Sequence, residues 1–267
     1  MNYRLIAIDL DDSLLGNDLK ISEANRKALF AARKKGVHIT IATGRMLDSA
    51  LPYIHELNIS IPVITYQGAY LKDTQTGDTL IKKSVPMDYT QKIIEECKKQ
   101  NLHLQVYNES TYFFEKENYY SRLYHKATGI QGEEAKDLIG VLQEEPIKLI
   151  IIDEQQKIAR LSQYFEEQFG DVLQVLISKP IYLEFTNKEA TKGNALAKLG
   201  EMLEIPREEI IAIGDSYNDI SMIEYAGLGI AMGNAPDHVK SYAQYVTKGN
   251  DESGIADAIR RFILNKE

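Results

Sequence analysis

The chain predicts an α/β protein: a mostly parallel sheet interrupted by a large α+β insertion. Two observations carry that prediction. Short apolar runs alternate with helix-length amphipathic segments at both ends of the chain, the signature of βαβ units, and the texture between them changes. A third observation points to function. The acidic pair Asp9 and Asp11 follows the apolar run Leu5-Ile6-Ala7-Ile8, and the cluster Gly214-Asp215-Ser216-Tyr217-Asn218-Asp219 follows another, Ile210 to Ile213. If both runs are neighbouring strands, four acids converge at the carboxyl edge of one sheet, where open α/β sheets place their ligands. Carboxylates gathered there repel one another, so a divalent cation is expected.

The elements read in order. Leu5 to Ile8, Val37 to Ala42 and Pro62 to Tyr66 are strand-like, and Ser22 to Lys35 and Met46 to Leu57 are helical. Ser22 is placed as an N-cap and Gly36 as a left-handed C-terminal cap. From about Lys82 the sequence suggests strands at Leu102 to Tyr107, Tyr112 to Glu115, Ile147 to Ile152 and Leu173 to Phe185. Helices are expected near Asp88 to Gln100, Glu133 to Gln143 and Gln155 to Phe169. Alternation resumes with a helix over Lys192 to Leu203, whose Ala195, Leu196, Leu199, Met202 and Leu203 recur at helical spacing. Strands follow at Ile210 to Ile213 and Leu228 to Met232. The expected domains are therefore 1–82 with 188–267, and an insertion over 83–187. The crossings near Lys82 to Pro86 and Thr186 to Thr191 make a natural hinge.

At 267 residues and 44% hydrophobic content the chain can build about two cores. A net charge of -8 lacks the basic footprint of a nucleic-acid binder. No apolar run approaches the ~20 residues that span a bilayer, the start lacks a signal-peptide pattern, and a single cysteine, Cys97, excludes an internal disulfide. These readings favour a cytoplasmic protein with neither nucleic-acid nor membrane partners. Cys97 beside Ile93 and Ile94 reads as a core residue on a helix face. His38, His55, His103, His125 and His238 lack the paired spacing of a zinc site. The aromatics between Tyr107 and Tyr124 read chiefly as packing. Gly227 to Gly233 fails as a dinucleotide fingerprint because its last glycine is one residue late.

Asp9 has the chemistry of a nucleophile toward phosphorus, and Asp11 that of the nearby group that gives and takes the proton. Thr43 with Gly44, at the tip of Val37 to Ala42, offers a hydroxyl and amides to a phosphoryl oxygen. Lys192 can neutralise charge on the transferring group. Asp215 and Asp219, with Asn218 between them, can ligate Mg2+ through oxygen. In sequence order the motifs are Asp9-Leu10-Asp11-Asp12-Ser13, Ile41-Ala42-Thr43-Gly44-Arg45, Lys192-Gly193, and Gly214 through Asp219. So ordered, the chain resembles the haloacid-dehalogenase-type phosphohydrolases. Within them it is most similar to the Cof-type sugar-phosphate phosphatases, a likeness reinforced by Ile220-Ser221-Met222 and Ala226 through Ala235.

The resemblance implies a Rossmann-like core with a type-2 cap. It makes Asp9 nucleophile and Mg2+ ligand, Asp11 the general acid/base whose carbonyl also meets the metal, and Asp215 the other protein ligand. Leu10 through its backbone, Thr43, Gly44, Lys192 and Asn218 would hold the phosphate, and Asp219 would support the metal from its edge. Asp12 and Ser13 stand where the family usually has Gly and Thr. Ser13 keeps the hydroxyl, while Asp12 adds a carboxylate near the phosphate position, which implies weaker substrate affinity or a stronger metal requirement. The expected activity is Mg2+-dependent hydrolysis of small phosphorylated metabolites, sugar phosphates foremost, through an aspartyl-phosphate, by a monomer or homodimer. Alternatives are a phosphomutase of the same superfamily, a silent sugar-phosphate-binding protein and a phospho-acceptor domain.

Overall fold

A computed structural model describes residues 3–109 and 111–264. Met1 and Asn2, part of the start that the sequence reading judged free of a signal peptide, lie outside the described residues. The chain divides into two compact units, one running to Ile81 and resuming at Thr191, the other spanning Lys82–Ala190.

The first unit is built on a five-stranded parallel sheet in the order Tyr245–Val246, Leu228–Ala231, Ile210–Gly214, Leu5–Ile8, His38–Ile41. Leu5–Ile8 and Ile210–Gly214 are buried along their whole length, as strands covered on both faces must be. Ile8 pairs with Ile213 on one side and Ile41 on the other, so three strand tips end level. A bridge from Ala42 to Ile64 joins Val63–Thr65 to this edge. That strand heads a small sheet with Tyr70–Lys72 and Thr79–Lys82. The helix Glu23–Lys34 begins where Ser22 accepts the Asn25 amide, and Gly36 follows it with φ +86°. Helix Lys192–Met202 is capped by the Thr191 side chain.

The second unit holds a six-stranded sheet in the order Leu173–Lys179, Tyr182–Asn187, Lys148–Ile152, His103–Tyr107, Tyr112–Phe114, Glu133–Glu134. Its pairings are antiparallel except for the last. Alternation along His103–Tyr107 sends Leu104 and Val106 into a core with Leu149, Ile151, Leu183 and Phe185. Ile94 of helix Met87–Lys99 and Phe165 of helix Gln155–Phe169 join that core, as does Cys97, whose thiol burial pushes up. His103, Gln105 and Tyr107 take the opposite face. There a helix the sequence did not announce, Tyr119–Thr128, sets the Tyr124 ring 5.3 Å from Tyr112 and 6.3 Å from Tyr107.

Two expectations fail here. The helix expected over Glu133 to Gln143 is a two-residue edge strand, Glu133–Glu134, followed by turns. Its helix-spaced Ala135, Leu138, Ile139 and Leu142 still pack on the core, but Gly132 and Gly140 loosen the backbone and Pro146 ends it. The single strand Leu173 to Phe185 is a hairpin, with Leu173 opposite Asn187 and its turn at Pro180 and Ile181. Proline removes a ladder donor and so divides an otherwise continuous β-prone run. Among the described residues no helix is long and apolar enough to cross a membrane.

Candidate active site

Asp9 is the first residue past its strand, 5% exposed, with its amide donating to Ile213 O at 3.0 Å. That bond extends the ladder by one residue and fixes the carboxylate at the sheet edge. Asp215 stands at the matching tip of Ile210–Gly214, and Asp219 four residues on is fully buried. Carboxylate oxygens of Asp9, Asp215 and Asp219 lie within 4.8 Å of one another. The Lys192 ammonium, wholly buried at its helix start, donates to Asp9 Oδ1 at 2.6 Å and Asp219 Oδ1 at 2.5 Å. Asp219 Oδ2 accepts the amides of Asp215 and Ser216, each at 2.9 Å. Ser13 Oγ donates to Asp215 Oδ1 at 2.7 Å, so the serine in the threonine position performs a positioning task.

Charge in this cluster is unbalanced. Burial pushes the Asp9 carboxyl well up, and Lys192 offsets that only in part while Asp219, Asp215 and Asp11 add to it. Asp215 is pushed up to about 7 by burial and by Asp219, against the Ser13 hydrogen bond and Lys192. Burial opposes the Lys192 cation, but Asp219 and Asp9 outweigh it and the ammonium is held more firmly than in water.

The phosphate-holding residues expected from sequence also meet at this edge. Thr43 is fully buried, its amide bound to Ile64 O at 2.9 Å and its hydroxyl accepting the Arg45 amide at 3.1 Å. Gly44 follows it, and Leu10 opens the tight turn Leu10–Leu14. Asp12 in that turn has φ +57°, and its carbonyl accepts Asn234 Nδ2 at 2.8 Å. Asn218 is present too, but its Nδ2 donates to Gln67 Oε1 at 2.6 Å. Asp11 is gripped by Arg45 through Nε at 2.8 Å and a terminal nitrogen at 2.6 Å, a bidentate pair.

Arg45 and Gln67 were not singled out by sequence reasoning. Arg45 directly follows the Thr-Gly pair, and Gln67 sits just past the run Pro62 to Tyr66, a further strand tip on the same edge. Position was the available signal.

A family model described as haloacid dehalogenase-like hydrolase matches residues 6–259. The chain belongs to that family. The kinship read from the motifs, a Cof-type chain with an inserted α+β domain, therefore stands. Two Bacillus subtilis relatives, YcsE and YwtE, are each named 5-amino-6-(5-phospho-D-ribitylamino)uracil phosphatase. YcsE is 31% identical over 99% of this chain and 97% of its own, and YwtE 32% over 95% and 96%. Among solved structures, a haloacid dehalogenase-like hydrolase from Bacteroides thetaiotaomicron superposes with TM-score 0.89 at 29% identity, covering 97% of this chain and 99% of that one. TM0651 from Thermotoga maritima gives 0.87 at 32% identity and 97% coverage of each chain.

Proposed function

We propose that the protein is a Mg2+-dependent phosphomonoesterase acting on small phosphorylated metabolites, sugar phosphates foremost, through an aspartyl-phosphate on Asp9. The observation that carries this reading is the buried cluster in which Asp9, Asp215 and Asp219 face the Lys192 ammonium. Three carboxylates against one ammonium leave two negative charges, in an all-oxygen donor set that suits a hard divalent cation. Asp9, Asp215 and the Asp11 carbonyl would hold Mg2+. Asp219 is spent on Lys192 and two amides and supports the cluster from its edge. When bound, the ion supplies positive charge for the anionic substrate and the charge developing in transfer.

The chain's own residues account for the steps. An Asp9 carboxylate oxygen attacks phosphorus, and the ester P–O bond breaks as the aspartyl–phosphorus bond forms. Asp11 gives its proton to the departing alkoxide. It then takes a proton from water, whose oxygen attacks the same phosphorus, releasing inorganic phosphate and restoring Asp9. Asp11 gripped by Arg45 is set up to accept a proton, and must loosen from that guanidinium to donate one. Thr43, Gly44, the Leu10 backbone and Lys192 hold the phosphoryl oxygens. The named substrate of YcsE and YwtE, a phosphorylated ribityl compound, falls in the proposed class.

The test is phosphate release from a panel of phosphomonoesters, with and without Mg2+, by wild type and Asp9→Asn. Mg2+-dependent release that drops at least about 10⁴-fold in the variant is expected. Substantial turnover by Asp9→Asn rejects the nucleophile, and isomer without free phosphate identifies a mutase.

A further inference from the structure

Gln67 is buried and its backbone is left-handed, φ +61°, as is that of Tyr66 before it, φ +52°. Two consecutive non-glycine residues in that region persist only where their surroundings over-determine them. Here the Tyr66 amide donates to Arg45 O and the Gln67 amide to Thr43 O, each at 3.1 Å, pinning the turn to the Thr43–Arg45 loop. On the other side Gly68, at φ +95°, lies so close to the start of the Lys192 helix that a Cβ there would fall 2.2 Å from Thr191 O. The turn is clamped between two of the segments proposed to hold phosphate.

The clamp fixes where the Gln67 amide goes. A Cβ on Gly44 would fall 2.3 Å from Gln67 Nε2, so glycine at 44 is what lets that nitrogen lie directly over the phosphate-holding turn. Gln67 Oε1 lies farther from that point, at 3.2 Å, and accepts Asn218 Nδ2 at 2.6 Å, leaving Asn218 Oδ1 buried without a partner. The two amides can pair in only two self-consistent ways, as here or with both flipped. Either leaves one Asn218 atom unpaired, so Asn218 does not decide between them. The atom over Gly44 does: a donor suits a phosphoryl oxygen, whereas a carbonyl oxygen would repel it.

We propose that Gln67 Nε2 is the amide donor to the phosphoryl group and that Asn218, expected from the motif to hold phosphate, instead positions Gln67 through its carbonyl. The inference rests on the phosphatase reading of the same site. It makes Gln67 a binding residue and Asn218 a positioning residue.

The test measures binding of inorganic phosphate to the full chain in Mg2+ by calorimetry, alongside kcat and KM, for wild type, Gln67→Met, Gln67→Glu and Asn218→Ala. Gln67→Met removes the donor and is expected to raise the phosphate Kd at least about tenfold, the worth of a hydrogen bond to a charged group. Gln67→Glu keeps the shape and the acceptor for Asn218 but sets an oxygen over Gly44, and is expected to bind still more weakly. Asn218→Ala leaves the donor in place but loosened, raising KM about threefold with kcat little changed. Tenfold loss in Asn218→Ala with near-normal binding by both Gln67 variants overturns the proposal in favour of the flipped pair. If wild type hydrolyses no ester yet binds phosphate in a Gln67-dependent way, the phosphatase reading falls and this one stands. If wild type binds no phosphate, this one falls as well.

Discussion

Each unit of the molecule buries a lysine against carboxylate, with opposite consequences. In the inserted unit the Lys148 and Glu184 side chains are 4% and 8% exposed and meet at 3.2 Å. Ser178 Oγ donates to the other Glu184 oxygen at 2.5 Å, and the Tyr107 ring lies 4.9 Å from the ammonium. That pair is closed in charge, one ammonium to one carboxylate. Lys192 in the other unit serves two aspartates while Asp215 adds a third, and the carboxyls of Asp9 and Asp215 are pushed up by burial first and then by the neighbouring carboxylates that this one cation does not offset. Burial of charge does not by itself mark a site; imbalance does.

The two lysines should differ most in activity. Lys192→Met removes the cation proposed to face the transferring group, and we expect kcat/KM to fall by about 10³ or more. Lys148→Met should leave kcat of the folded protein far less affected. If the two losses were equal, the closed pair would be as chemical as the open one. In stability the ranking reverses in character. Lys148→Met strands Glu184 and should cost about 3–5 kcal/mol, whereas Lys148→Met with Glu184→Leu recovers most of it, because an intact buried pair is worth little over apolar packing. Denaturant melts of the three proteins decide this, and a double variant no more stable than the single would mean the pair is intrinsically stabilising.

The two units should also answer pH with opposite sign. His103 is lowered to about 4 by burial, with Asp153 opposing, and its ring bonds to Gln105 and Asn118 in a neutral network. Its folded pKa lies below the unfolded ~6.5, so this stability is complete above pH ~6.5 and lost as pH falls toward 4, about 3 kcal/mol in all. Asp215, raised to about 7, runs the other way: its native form binds the extra proton, so without Mg2+ that unit gains stability as pH falls from about 7 toward 4. Hydrogen exchange followed separately in the two units reads both slopes. A like sign in the two would contradict the assigned environments, and saturating Mg2+ should abolish the slope of the Asp215 unit alone.

What the sequence disclosed divides along the same line. Asp9, Thr43, Asp215 and Lys192 were legible because each lies beside a short apolar strand or opens a helix, so local pattern and parallel-sheet topology together place them at one edge. The inserted unit was less legible. Its 133–143 segment has helical spacing without helical backbone, its hairpin hides in one β-prone run, and helix Tyr119–Thr128 begins on an Asn118 cap within an aromatic stretch that reads as packing. Arg45 and Gln67 escaped for another reason. Their importance lies in partners far along the chain, Asp11 and Asn218, which no local pattern encodes.

The smallest expected effect concerns Asp12, the departure that sequence reading marked as a threat to phosphate binding. Its side chain is exposed and its φ of +57° is one that glycine adopts freely. Asp12→Gly therefore relieves backbone strain but loosens the unfolded chain, and the two cancel to within about 0.5 kcal/mol. The Asn234 contact survives, since it uses the Asp12 carbonyl. What remains is charge, for the Asp12 carboxylate is among the groups that push Asp215 up. Removing it should lower KM for a phosphomonoester about two- to threefold at low salt, an effect that shrinks at 0.5 M salt as screening takes over. A KM that does not move at low salt would place the Asp12 side chain outside the field of the site and leave its left-handed backbone as its whole contribution.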